Sequence, residues 1–142
     1  MGSFRKKRAS DPYSYAKILM RYRPRSVWEM RKRLSERFPD DVVEKVISEL
    51  VDKGILDDER FALMFARSEI EVKRFGPRIV RRKLLSLGVD EEIVDRAIDE
   101  VMKDFDLDGF LKDLKRRFDD HRKIREYLYR RGFDPSMFES ES

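Results

Sequence analysis

The chain has no cysteine among its 142 residues. That one absence excludes a disulfide framework, a thiolate metal site and a cysteine nucleophile together. Histidine occurs once, at His121, in the first turn of a basic helical segment, where a solvated role is far commoner than that of a general base. No glycine-rich strand–turn–helix element frames a serine nucleophile, and phosphate-cradling motifs are missing. The densest acidic string, Asp57-Asp58-Glu59, has neither the glycine nor the spacing of a calcium loop; it stands where a helix N-terminus favours capping oxygens and negative charge. No apolar run approaches the roughly 20 residues of a membrane span. The basic start, Met1 to Ser10, has no apolar stretch of the kind an export signal needs. The expectation is a non-enzymatic, cytoplasmic protein with no cofactor, no metal and no membrane partner.

What the chain does have is charge. Charged residues make up 44% of it, against 40% hydrophobic, well above the ordinary quarter or so. An elongated body with much surface per residue fits that balance better than one broad globule. The charge also comes in blocks. Residues 1–37 hold twelve basic and three acidic side chains, 38–72 hold four and ten, and 73–83 hold six and none. Residues 84–114 then hold three and ten, 115–131 eight and three, and 132–142 none and three. Basic is followed by acidic three times over, which signals a repeat.

Apolar residues recur at three- and four-residue spacing throughout, with almost no strand pattern. Ile18, Leu19 and Tyr22 mark a helix broken near Pro24. Ser26 and Glu29 have capping-box spacing and open a second helix with Met30 and Leu34. Asp40 reads as the cap of a third, through Val43, Ile47 and Leu50, closed by Gly54. The sequence then starts again. A long helix from Asp57 or Asp58 to Phe75 is broken at Gly76-Pro77; two more follow, around Val80-Leu84 and Ile93-Val101. A third round runs from Phe105 to Phe118, through Ile124-Leu128, to a short segment after Asp134-Pro135. Met30, Val80 and Ile124 correspond, as do Leu34, Leu84 and Leu128, and Arg31, Arg81 and Arg125, at offsets of 50 and 44. The turns Phe38-Pro39-Asp40, Gly88-Val89-Asp90 and Gly132-Phe133-Asp134 occupy the same place in each copy. The fold expected is all-α: three tandem three-helix repeats forming an elongated, curved array, over 12–54, 55–103 and 104–142, preceded by a basic, disordered arm at 1–11. Units this small need neighbours to bury a core, and the third is truncated.

The middle helix of each copy is basic, and helices stacked in register would lie side by side as a positive stripe. Arg21, Arg23, Arg25, Arg31 and Lys32 would supply it from the first copy. Arg74, Arg78, Arg81 and Arg82 follow from the second, and Arg122 and Arg125 from the third. Such a stripe suits phosphates, with salt-dependent affinity, or an acidic protein surface. Basic helices paired with the acidic third helices beside them would produce the same blocks, so both readings stand for the second and third copies. Tyr13, Tyr15, Tyr22, Tyr127, Tyr129 and above all Trp28, flanked by arginines, can stack on bases, although aromatics at helical spacing more often pack inside.

Three strings resemble the RecX family of regulators of bacterial recombination: Arg23-Pro24-Arg25-Ser26 with Glu29 and Leu34, Leu56-Asp57-Asp58-Glu59-Arg60-Phe61-Ala62, and Gly76-Pro77-Arg78-Ile79 with Leu84, Gly88 and Val89. Together they cover roughly residues 13–101. The resemblance implies tandem three-helix repeats and a protein that binds the RecA filament on single-stranded DNA, inhibiting ATP hydrolysis and strand exchange in DNA repair; separately, a monomer is expected. It brings no catalytic residues. The alternatives from the residues alone are a sequence-independent binder of single-stranded or duplex DNA, and a helical adaptor for another acidic protein.

Overall fold

The structure, a computed structural model, describes residues 11–139. The helices in order are α1 (Pro12–Tyr22), α2 (Val27–Ser35), α3 (Asp40–Asp52), α4 (Asp58–Arg67), α5 (Pro77–Ser86), α6 (Glu91–Asp104), α7 (Leu107–Arg117), α8 (His121–Arg131) and α9 (Ser136–Glu139). One π-helical turn, Ser68–Val72, extends α4. Except for Asp11, the expected arm lies outside the described residues.

Carboxylates and one serine start most of the helices. Asp11, Asp57, Asp90, Asp106 and Asp120 each accept a hydrogen bond from a first-turn N–H, which satisfies groups the helix itself leaves open. Ser26 and Glu29 form the full capping box. α3 departs from the sequence reading. Its cap position is Pro39, and Asp40 is already helical and makes no side-chain cap; it contributes only its charge to the positive end of the helix. α5 begins on Gly76 with Pro77 in the first turn.

Each set of three helices encloses its own core. Tyr15, Leu19, Met30, Leu34, Val43 and Ile47 fill the first, which Leu56 closes from the following loop. Phe61, Ile70, Val80, Leu84, Val94 and Val101 belong to the second, where α4 lies along α6. In the third, α9 has a single turn, and Phe110, Leu114, Leu128, Phe133 and Phe138 make an aromatic cluster around it. The architecture is an all-helical tandem array. Met102 and Phe105 pack against both the second and third cores. Among the described residues no such side chain is common to the first and second.

The long helix expected to run to Phe75 is interrupted by the π turn, where Lys73 N–H donates to Ser68 O at 3.2 Å. The wider turn points Glu69 and Ile70 inward, 3% and 0% exposed. Arg74 then takes a left-handed φ of +61°, costly for a residue with a Cβ. The guanidinium of Arg131 holds that corner, donating to Arg74 O at 3.0 Å and to Lys73 O.

Candidate partner-binding surface

The middle helices α2, α5 and α8 meet end to end, and this corrects the side-by-side stacking the sequence suggested. At each joint the N-terminal turn of one middle helix receives the C-terminal turn of the next. Ser26 Oγ donates to Leu87 O at 2.7 Å, and Val27 N–H donates to Asp58 Oδ1 at 2.9 Å. One unit further on, Gly76 N–H donates to Arg131 O at 2.6 Å and Arg78 N–H to Gly132 O at 3.1 Å. Gly88 and Gly132, at φ +79° and +95°, turn the chain out of each helix as only glycine does freely. A Cβ on Gly88 would lie 2.3 Å from the Trp28 Cβ, and one on Gly132 would lie 2.8 Å from Ile79 Cγ1.

Three titratable groups that the structure perturbs lie around these joints. Burial pushes the Asp58 carboxyl above its ordinary value, and the Val27 N–H only partly offsets this. For Glu29, burial acts upward, but hydrogen bonds from Arg23 and the Ser26 N–H leave it below the ordinary value. Glu69 is similar: burial raises it, while Lys73 at 2.8 Å and Lys83 at 2.6 Å pull it down. Lys83 and Arg131 also lie over the Phe75 ring, 4.0 and 4.1 Å from its centroid. Glu69 thus anchors Lys83, one of the two cations over Phe75 beside the second joint. Nothing in its sequence context separates it from a solvated helical glutamate.

The candidate cations divide into two groups. Arg25 is buried, its Nε donating to Leu19 O at 3.3 Å, so it does not belong to an exposed stripe. Arg23 pairs with Glu29 at 2.6 Å. Arg31 grips Glu44 with two bonds, of 2.8 and 3.2 Å, and Arg81 bonds Asp95 at 2.8 Å and Glu91 at 2.6 Å. Each of these two pairs joins a basic middle helix to the acidic third helix beside it: the internal alternative left open above for the second copy, and found in the first copy as well. Arg74 lies over the Phe110 ring at 4.8 Å with Asp113 at 3.9 Å. Arg78 lies over the Tyr129 ring at 4.4 Å and donates to its carbonyl, and Lys32 sits 5.0 Å from the Trp28 ring centroid.

Other cations stay in solvent. Arg21, Arg82, Arg122 and Arg130 are exposed, with no hydrogen-bond or ion-pair partner for their side chains among the described residues. Arg122 and Arg130 share a broad cleft along α8 with His121, Arg125 and Tyr129. The short α9 brings few groups that could cover it. The carboxylates of the Asp57-Asp58-Glu59 string are spent on backbone and arginine: Asp57 accepts from Glu59 and Arg60 N–H, Asp58 from Val27 N–H, and Glu59 from Arg96 at 3.2 Å.

No helix of the described residues is long and apolar enough to cross a membrane. Fold and surface together define a tandem three-helix array with glycine-turned joints and a set of unpaired cations. Family models for RecX match the chain in two places, the first three-helix domain at residues 13–50 and the second at 57–98. It is similar to the regulatory protein RecX of Thermotoga petrophila, 49% identical over 129 residues, spanning 90% of this chain and 80% of that protein. The RecX of Thermus thermophilus is 33% identical over 124 residues, spanning 87% and 84%. The crystal structure of RecX from Lactobacillus salivarius superposes with a TM-score of 0.80 over 94% of both chains, at 21% identity, a likeness of fold. The chain belongs to the RecX family of regulatory proteins.

Proposed function

We propose that this protein is a non-enzymatic, monomeric regulator that acts in the cytoplasm by binding the RecA filament on single-stranded DNA, restraining RecA's ATP hydrolysis and strand exchange in recombinational repair. Family membership supports the reading. The observation that carries it furthest is the division of the cations. Those that shape the array are engaged within it by carboxylates, carbonyls or rings, whereas Arg21, Arg82, Arg122 and Arg130 occur in all three units and stay in solvent. Cations spread over a tandem array engage a repeating partner by adding modest contacts and speed its encounter with an acidic surface.

The test is a salt series of binding to single-stranded DNA, duplex DNA and nucleotide-bound RecA filaments, run beside RecA's DNA-dependent ATPase. Tight filament binding with ATPase inhibition, and weak binding to bare DNA, is the expected result. Equal affinity for bare DNA with an unaffected ATPase contradicts it, and would favour a DNA-binding module working through the α8 cleft and its exposed Tyr129.

A further inference from the structure

The two joints bring corresponding elements together, but the chain enters the middle helix through Pro24 at the first and through Arg74, at φ +61°, at the second, and the difference leaves a space. Residues 23–31 correspond to 73–81, fifty positions on, and α4 corresponds to α7 through their caps Asp57 and Asp106. Arg74 therefore stands where the first unit has Pro24, and Phe110 and Asp113 stand where α4 has Phe61 and Met64. At the second joint the space between these positions is filled by the chain itself: the Arg74 guanidinium lies over Phe110 and beside Asp113. At the first joint Pro24 has no side chain long enough to reach. An open cleft of about 440 Å³ remains, floored by Phe61, Phe65 and Leu87, with Met64 and the Arg23–Glu29 pair at its rim.

We propose that this cleft is a docking pocket for a bulky apolar anchor side chain on a partner protein segment that carries acidic residues beside the anchor. The anchor is apolar because the cleft offers a cation no counter-ion. Met64 replaces Asp113, and the Glu29 carboxylate is already held by Arg23 at 2.6 Å and the Ser26 N–H at 3.2 Å. Met64 itself is 48% exposed, apolar surface that gains from being covered. The flanks are acidic because the rim is basic: Arg23 is half exposed, and Arg21, two residues away, has no partner among the described residues. Tyr22 between them, 81% exposed, extends the contact. The inference rests on the proposed function, with the filament as the surface that presents the segment.

Two variants test it. Met64→Glu places a carboxylate at the mouth of the cleft. The pair Pro24→Arg with Met64→Asp places at the first joint the arginine and aspartate that the second carries, a long side chain and a carboxylate to occupy the cleft from within. Both are expected to keep wild-type helicity and to lose filament affinity by about tenfold or more, as loss of a central anchor does, with matching loss of ATPase inhibition. Should Met64→Glu disturb folding, the double variant carries the test, since Pro24 and Met64 are both exposed in the wild-type protein. Wild-type filament affinity in a folded double variant overturns the pocket and leaves the filament reading standing. Failure of the wild-type protein itself to bind filaments overturns that reading and the pocket with it.

Discussion

The joint between the first and second units and the joint between the second and third both set the start of one middle helix on the glycine-ended turn of the next, in two chemistries. At the second, Gly76 and Arg78 N–H donate to backbone carbonyls; at the first, the Ser26 hydroxyl and the Asp58 carboxylate make the bonds. The side chains around the first joint are that hydroxyl and carboxylate, the Arg23–Glu29 pair and one ring, Trp28 against Gly88. At the second they are rings and guanidinium groups. Phe105 stacks on Phe133 at 5.8 Å and meets Phe110 edge-on at 5.6 Å, while Arg74, Arg78 and Arg131 cover Phe110, Tyr129 and Phe75. Geometry is thus set by the turn and strength by what surrounds it. The second and third units share apolar surface and should unfold together. The first is joined by hydrogen bonds around a cleft and should separate more readily.

The comparison breaks most severely at Phe133, 1% exposed among the other rings. Phe133→Ala should cost about 3–5 kcal/mol and destabilise α5 and α6 as well as the third unit. Hydrogen exchange resolved by helix checks this; loss confined to α7–α9 would mean the two units are independent. Gly76→Ala comes next. Its Cβ would stand 2.3 Å from Gly132 C and Phe133 N, backbone atoms that cannot turn aside, at a cost of about 2–3 kcal/mol in denaturant melts.

Glu69→Gln should cost about 1–2 kcal/mol at neutral pH, because a buried acceptor of two lysines loses its charge. It should also change the acid response. The folded value of Glu69 lies below the ordinary 4.5, so its ionised form stabilises the protein above that pH and the contribution is lost as pH falls through the folded value. The variant should therefore show a shallower loss of stability below about pH 4.5. Asp58 has the opposite sign. Its raised folded value means that its contribution is present below the ordinary 3.8 and is lost as pH rises through the folded value, so acid relieves the first joint while it weakens the second. An effect of similar size is expected at the first joint, where Ser26→Ala removes both a helix cap and a bond between units, at about 1–2 kcal/mol. Its exchange signature should be faster amides in α2 with those of α8 unchanged.

Much of this was legible in the residues. The Ser26–Glu29 capping box, the glycine turns at 88 and 132, and the apolar faces of α2, α5 and α8 follow from periodicity and local chemistry, and the all-helical repeat with them. What escaped depends on tertiary neighbours. The end-to-end meeting of the middle helices has no periodic signature, because it is fixed by which turn fits Gly76 and Ser26. Arg25 reads as a surface cation, yet its burial is repaid by one carbonyl, that of Leu19. Glu69 reads as solvated because a π turn, invisible in the pattern, is what rotates it inward. Asp40 reads as a cap, yet the helix had already begun at that residue, after Pro39. For Arg31 and Arg81 the sequence shows charge without showing the carboxylates that stand beside it, Glu44 for the first and Glu91 and Asp95 for the second.

That last distinction is the one to measure. Filament affinity should be compared for two neutralised pairs, Arg82→Gln with Arg122→Gln and Arg31→Gln with Arg81→Gln, in the same salt. The first pair, unpartnered in the array, should lose about tenfold or more, as removal of charges facing a partner does; the second should stay within about twofold, its charges being engaged by Glu44, Glu91 and Asp95. Equal losses, or a greater loss from Arg31 and Arg81, would contradict the division of cations on which this account depends.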